Sequence, residues 1–207
     1  LSTCRTAADE LERLYAQQKS WEKLTTLLRN LVDLTPDMKL KGAKLRKVAA
    51  ILTQHLGLET EAVEVYESAL KLNPQDTVAK NFLIDYYRAH DKWDELIRIL
   101  QNDSNREGSL GAKWLSHFWI GRIELYHQNA PENALASFKK AFLSSPDDLI
   151  LLHTWLSLSL CNASPEDTLK TLQEARCETG NPQTRAEIDL AVADLTLRIS
   201  HDPKSIE

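Results

Sequence analysis

The stretch AVEVYESALKLNP, at residues 62–74, decides the fold because its pattern returns later in the chain. The stretch ALASFKKAFLSSP, at residues 134–146, has the same anchors: an Ala, an aromatic residue four positions on, an Ala three further and a Pro five beyond that. One offset separates the two copies, since 134 − 62 = 72 and 146 − 74 = 72. A pattern that recurs at a fixed offset is typical of a repeat array.

A second pair of segments has the same offset and indicates what kind of array this is. YAQQKSWEKLTTLL at residues 15–28 matches YRAHDKWDELIRIL at residues 87–100, with 87 − 15 = 72. In both segments the apolar residues recur at three- and four-residue spacing, which is the period of one buried helical face. Since no stretch alternates with period two, the sequence predicts an all-α protein.

The Ala–aromatic–Ala–Pro spacing resembles the second half of a tetratricopeptide repeat (TPR). In the slot of the first Ala the chain has Leu24, Ala62, Leu96, Ala134 and Thr168, with separations 62 − 24 = 38, 96 − 62 = 34, 134 − 96 = 38 and 168 − 134 = 34. The resemblance implies an α-α superhelix, a right-handed solenoid of about five TPR-like helix pairs followed by a C-terminal capping helix. The first-helix signature of the family is degenerate here, so a helical-pair solenoid of the HEAT type stays open as an alternative.

The resemblance also sets the expected repeat boundaries. We expect one solenoid domain over residues 1–207, with repeats at about 5–38, 39–75, 76–108, 109–146 and 147–181 and the capping helix at about 183–200. The chain begins within the pattern and without Met, so we interpret it as a fragment of a longer protein.

Composition excludes several functional classes. Hydrophobic residues make up 43% and charged residues 27% of the chain, and the net charge is −5, which disfavours a general nucleic-acid binder. No glycine-rich phosphate loop is present, and no His or Cys residues stand at metal-ligand spacing. We therefore expect no enzymatic activity, no cofactor and no metal site. No apolar run of bilayer length occurs, so we expect no membrane insertion. The three Cys residues are odd in number and widely separated, which fits reduced thiols and is consistent with a cytoplasmic protein.

In the TPR family the first helix of each pair lines the inner face and contacts extended peptides. By register, the resemblance implies a groove lined by Asp9, Arg13, Arg46, Ala50, Asn81, Asp85, Arg88, Phe118, Arg122, Tyr126, His153 and Ser157. Four of the five pairs place an Arg there, and the planar guanidinium suits carboxylate recognition. We interpret the chain as a protein–protein interaction scaffold for an acidic or extended peptide. Ordinary solvated arginines are the alternative reading.

Three further features bear on the choice of partner. The Lys/Asn/Asn/Lys/Arg clamp of chaperone-binding relatives is absent, because Asp9 and Arg13 occupy its first two slots, so chaperone C-terminal tails are disfavoured. Within the aromatic helix we expect Trp119 in the core, with Phe118 and Tyr126 at the groove. Five bases lie within nine residues, at Lys39, Lys41, Lys44, Arg46 and Lys47. This patch makes RNA binding the less favoured alternative. Self-association or packing against other parts of the parent protein is another.

Overall fold

Helices make up both parts of the chain that the structure describes, residues 2–104 and 110–201 of a computed structural model, and no strand occurs there. The all-α prediction is confirmed for these residues. The chain divides into two compact units, Leu1–Asp91 and Lys92–Glu207. The boundary falls inside the third expected repeat, and a single domain over the whole chain stays a prediction.

The first unit is a run of five helices, each packed against the next along the chain. Their bounds are α1 Ser2–Gln17, α2 Trp21–Asp33, α3 Met38–Ile51, α4 Glu59–Leu72 and α5 Thr77–Ala89. The chain continues from α3 into a π-helical turn, Leu52–Leu56, which Gly57 ends in the left-handed conformation. Two of the helices begin at an aspartate: the Asp37 and Asp76 carboxylates accept backbone N–H groups of the first turns of α3 and α5.

The second unit has six helices in the described residues, again packed in chain order. They are α6 Trp93–Ser104, α7 Leu110–Tyr126, α8 Pro131–Ser144, α9 Leu149–Asn162, α10 Pro165–Glu178 and α11 Pro182–His201. Helix α11 matches the expected capping helix in position.

Small residues allow the two helices of a pair to pack closely. Ala62 and Ala69 of α4, and their counterparts Ala134 and Ala141 of α8, are all completely buried. Against α4 lies Gly42 of α3, where an added Cβ would stand 3.5 Å from the carbonyl oxygen of Ala69. The Ala anchors that define the sequence repeat are therefore buried in the helix contacts, where a small side chain permits close packing.

The 72-residue offset extends to backbone conformation. Within residues 2–104 and 110–201, left-handed φ occurs at Lys19 (52°), Gly57 (67°), Asp91 (55°) and Asn129 (51°). They form two equivalent pairs, since 91 − 19 = 72 and 129 − 57 = 72. A left-handed φ costs free energy for a residue with a Cβ, so its recurrence shows that the same corners are built twice.

One aromatic contact recurs at the same offset. Trp21, at the start of α2, stacks on His55 with ring centroids 3.7 Å apart, and Trp93, at the start of α6, stacks on His127 at 3.8 Å. The histidines are also offset by 72, since 127 − 55 = 72. Each stack ties the start of one helix to the end of the next one along the chain.

The core of the second unit is centred on Trp155 of α9. Its indole stacks on the Phe142 ring of α8 at 5.4 Å, and Leu172 of α10 and Ile188 of α11 complete the buried cluster. Asp147 braces the same end of the unit: its Oδ1 accepts hydrogen bonds of 2.9 Å from the N–H groups of Gly180 and Asn181.

Candidate functional site

A groove lies between α7 and α9, the first helices of consecutive pairs. Its volume is about 310 Å³. The lining residues are Phe118, Arg122, Leu125, Tyr126, Phe138, Thr154, Ser157 and Leu158. We call it the Arg122 groove. Four of the groove residues that the resemblance implies line it: Phe118, Arg122, Tyr126 and Ser157.

Arg122 is the distinctive charge of this groove. Its guanidinium carbon lies 5.1 Å from the centre of the Trp119 ring and 5.8 Å from that of Tyr126. These cation–π contacts hold the side chain in place without neutralising its charge. Among the described residues, Arg122 makes no ion pair with a carboxylate. The groove thus offers a positioned guanidinium to a ligand.

The expectation that Trp119 belongs to the core is wrong. Its side chain is 45% exposed, and Leu115, one turn earlier, is exposed as well. Helix α7 buries Ile120 and Ile123 but carries apolar residues on its other sides too. Helical spacing alone did not reveal which of these sides faces the neighbouring helices.

Phe118 takes a different position from Tyr126. The Phe118 ring is half-buried and meets the Phe138 ring of α8 edge to face, with centroids 5.7 Å apart. Tyr126 is 69% exposed. Phe118 therefore forms part of the groove wall, whereas Tyr126 presents an accessible aromatic ring.

In the first unit, two of the arginines expected in the groove are paired with carboxylates. Arg46 approaches the buried Asp76 carboxylate at 3.5 Å, and Arg88 pairs with Asp85 at 2.8 Å in the same helix. Arg13 and Asn81 are exposed. A depression in this unit, of about 430 Å³, lies between α1 and α2 instead. It is lined by Tyr15, Glu22, Lys23, Thr26, Leu27 and Asn30, none of which the sequence analysis singled out.

A second groove of the second unit lies between α9 and α11 and contains His153. Its volume is about 390 Å³. The lining residues are Leu152, His153, Leu156, Leu160, Glu187, Leu190, Ala191, Asp194 and Leu195. We call it the leucine groove. Sequence reasoning found only His153 here, although the sequence LILLHTWLSLSL of α9 has more leucines than one buried face requires.

The basic patch lies mainly on one side of α3. Lys41, Lys44 and Lys47 follow one another at three-residue spacing and share that side, whereas Lys39 lies farther round the helix. Lys47 pairs with Glu12 of α1 at 2.5 Å, which partly neutralises its charge. Contact of this patch with nucleic-acid phosphates stays a prediction.

A buried carboxyl group lies at the α7–α8 contact. Glu124 is 9% exposed, and its Oε2 accepts a hydrogen bond of 2.6 Å from the Ser137 hydroxyl. Burial raises the pKa of Glu124, while the Ser137 hydrogen bond and the Lys140 charge act in the opposite direction. The neighbouring His117 has a lowered pKa, because burial and the charges of Lys140 and Lys113 disfavour the imidazolium.

The Glu124→Gln variant should remove part of the pH dependence of stability. Because the folded carboxyl keeps its proton above the unfolded pKa of about 4.3, its stabilising effect is complete below that pH and is lost as pH rises through the folded pKa. Glutamine cannot ionise, so the variant should gain stability relative to wild type as pH rises above the unfolded pKa of about 4.3 and through the raised folded pKa. Urea unfolding at several pH values measures this difference.

The matched control for this experiment is Glu174→Gln, which changes an exposed carboxylate on α10. Its difference from wild type should stay nearly constant with pH. A constant difference for Glu124→Gln as well would contradict the raised pKa.

No group of three or more His, Cys, Asp or Glu side chains is placed to hold a metal ion within the ranges 2–104 and 110–201. In the same ranges, no helix has the length and apolar character needed to cross a bilayer.

The fold defines the class of protein. Short helices in pairs, Ala residues at the close contacts and corners repeated at 72 residues make the chain a tetratricopeptide-like helical-repeat protein, as the resemblance predicted.

Comparison with known proteins gives no sequence match and several structural ones. No protein-family model matches the chain, and no curated protein matches it. Among solved structures, MamA residues 41 to the end, from Desulfovibrio magneticus RS-1, is 15% identical with a TM-score of 0.39, covering 95% of this chain and 96% of that one. The human IFIT1 dimer with m7Gppp-AAAA is 17% identical with a TM-score of 0.45, covering 92% and 46%. The TPR2AB domain of yeast Sti1, in complex with an HSP90 peptide, is 13% identical with a TM-score of 0.34, covering 92% and 85%.

Proposed function

We propose that the protein is a non-catalytic interaction scaffold that binds an acidic, extended segment of another protein in the Arg122 groove. The observation that carries the proposal is the exposed Arg122 guanidinium, held over two aromatic rings at the edge of an open groove. A guanidinium can donate two parallel hydrogen bonds to a carboxylate, and aromatic contact restricts its motion before the ligand arrives.

The opposite wall of the groove supports binding of a peptide backbone. The Thr154 hydroxyl donates to the Ile150 carbonyl at 2.7 Å, and the Ser157 hydroxyl donates to the Thr154 carbonyl at 3.0 Å. Since both protons are used within α9, the hydroxyl oxygens remain as acceptors for the N–H groups of a ligand. Because two helices already hold the groove in shape, the protein loses little conformational entropy when a ligand binds.

Arg122 is better suited to bind a carboxylate than Arg46 and Arg88, because those two arginines are already paired. Asp76 and Asp85 partly neutralise Arg46 and Arg88, so an acidic ligand would have to displace a carboxylate there. At Arg122 no such competition occurs within the described residues. The acidic side chain of the ligand is therefore expected at Arg122, beside Tyr126.

Selection from a random peptide library displayed on phage tests the proposal. Peptides enriched on the wild-type protein should contain an Asp or Glu next to an apolar residue. We expect Arg122→Glu to lower the affinity for a synthetic copy of such a peptide at least about tenfold. The reason is that a charge-assisted hydrogen bond contributes roughly 1.5–3 kcal/mol to binding.

The matched control is Arg98→Glu, an exposed arginine on α6 outside the groove. It should leave the affinity unchanged. Equal binding by wild type, Arg122→Glu and Arg98→Glu would show that the groove is not the site. Binding that instead falls steeply with added salt and responds to RNA competitors would favour the RNA alternative.

A further inference from the structure

The leucine groove differs in chemistry from the Arg122 groove beside it. Leu156 and Leu160 of α9 face Leu190 of α11 across the opening, and Leu190 is 68% exposed. Covering such side chains with an apolar ligand favours binding, because apolar surface is removed from water. The groove therefore has an apolar surface that no other part of the described chain covers.

The charges at this groove are acidic. Glu187 and Asp194 of α11 both line it. Asp194 pairs with Arg198 at 2.8 Å, and both members of that pair are more than half exposed, so the pair is weak and exchangeable. Glu187 has no ion-pair partner within the described residues. A cationic ligand would complement these two carboxylates.

The spacing of the carboxylates sets the spacing of the complementary charges. Glu187 and Asp194 are seven residues apart on one helix, and at a rise of about 1.5 Å per residue this corresponds to roughly 10.5 Å. An extended chain in the polyproline II conformation covers nearly the same length in three residues, since each residue spans about 3.1 Å and three residues make one turn. Two basic residues three positions apart therefore lie on the same side of such a chain and would reach one carboxylate each.

We propose that the leucine groove binds a cationic, extended peptide segment in which two basic residues three positions apart flank an apolar side chain. The apolar side chain packs between α9 and α11, and the basic groups contact Glu187 and Asp194. This site is separate from the Arg122 groove and has the opposite charge preference, so neither proposal depends on the other.

The probe is the fluorescein-labelled peptide acetyl-Gly-Ala-Arg-Leu-Ala-Arg-Ala-Gly-amide, followed by fluorescence anisotropy. We expect saturable binding to wild type and at least a tenfold loss for Glu187→Lys, since replacing attraction by repulsion at one desolvated contact costs about this much or more. Leu190→Ala should also weaken binding. Leu190 is exposed and Glu187 is partly exposed, so both variants should fold, and circular dichroism checks this.

Three controls make the result specific. Glu174→Lys introduces the same charge change at an exposed position of α10 and should bind the probe like wild type. Arg122→Glu should also retain the probe, although it loses the acidic peptides of the other groove. A version of the probe with Glu in place of both Arg residues should not bind to the leucine groove.

Absence of probe binding to wild type, or equal binding by wild type and Glu187→Lys, would overturn the proposal. Light scattering distinguishes another occupant: if wild type is a dimer that Glu187→Lys dissociates, a second copy covers the groove and the peptide proposal is wrong. The peptide-library selection tests the Arg122 groove with different ligands, so a negative result with the cationic probe does not affect the proposed function.

Discussion

Replacing Trp155 by Ala should lower the free energy of unfolding by about 3 kcal/mol, at the lower end of the roughly 3–5 kcal/mol that a large buried aromatic residue usually contributes. The side chain is 2% exposed and stacks on Phe142 within the core of the second unit. Two effects oppose each other. The cavity left by truncation removes packing contacts and destabilises the protein. The indole Nε1 of Trp155, however, is buried without a hydrogen-bond partner in the described residues, so truncation also removes the free-energy cost of burying an unpaired donor.

Urea unfolding followed by far-UV circular dichroism measures the loss. The matched control is Ile150→Ala on the same helix, because Ile150 is 69% exposed and should change stability by less than about 0.5 kcal/mol. Trp155→Phe keeps an aromatic ring and removes the unpaired donor, so its loss should be smaller than that of the Ala variant. Equal stability of Trp155→Ala and wild type would contradict the placement of this residue in the core.

The Gly121→Leu variant should lose a similar amount of stability, about 3 kcal/mol, through overpacking. Gly121 of α7 faces the Phe138 ring so closely that an added Cβ would lie 2.9 Å from Cε1. That ring is buried, so it cannot move aside without disturbing its neighbours. Replacing a helical glycine improves helix propensity by up to about 1 kcal/mol, which is too little to offset the clash.

A double-mutant cycle identifies the cause. In a Phe138→Ala background the clash is absent. There, Gly121→Leu should lower the free energy of unfolding by at least about 1 kcal/mol less than it does in wild type. Gly180→Ala is the control for glycine substitution in general, since an added Cβ there meets only Asp147, at 3.7 Å. A Leu variant as stable as wild type would mean that α7 and α8 do not pack as described.

The two grooves of the second unit share one helix, α9, as a wall. Because α7, α9 and α11 are first helices, side chains on either side of α9 reach different grooves: Thr154 and Ser157 line one, Leu156 and Leu160 the other. One helix thus separates an arginine site from an acidic, leucine-lined site. The peptide selections and the defined probe examine each site without relying on the other.

Much of the fold was predictable because it depends on local spacing. The buried Ala62 and Ala134 follow directly from the repeated pattern, and the Trp21 and Trp93 offset marks helix starts that the structure repeats. The stretch QNDSNREGS at residues 101–109 is polar, contains a Gly and lacks an apolar period, which predicts a loop. That prediction is partly wrong, since α6 continues to Ser104, while residues 105–109 lie outside the described residues. Apolar periodicity ends at Leu100, but backbone hydrogen bonding extends a helix beyond its last apolar contact.

The candidate site was less predictable, because it depends on which neighbours each helix face meets. Register alone brought together Phe118, Arg122 and Tyr126, since they are one helical turn apart. It did not show that a buried aspartate 30 positions away approaches Arg46, or that Trp119 is exposed.

By itself, the sequence determined the helical class, the repeat period and the positions where helices approach closely, because these follow from residues a few positions apart. Only the tertiary structure decided which charges remain unpaired and which apolar side chains remain uncovered. Arg122 and Glu187 form no ion pair in the described residues, whereas Arg46 pairs with Asp76 and Asp189 pairs with Arg176. Those two pairs join residues distant in sequence, so no local pattern reveals them.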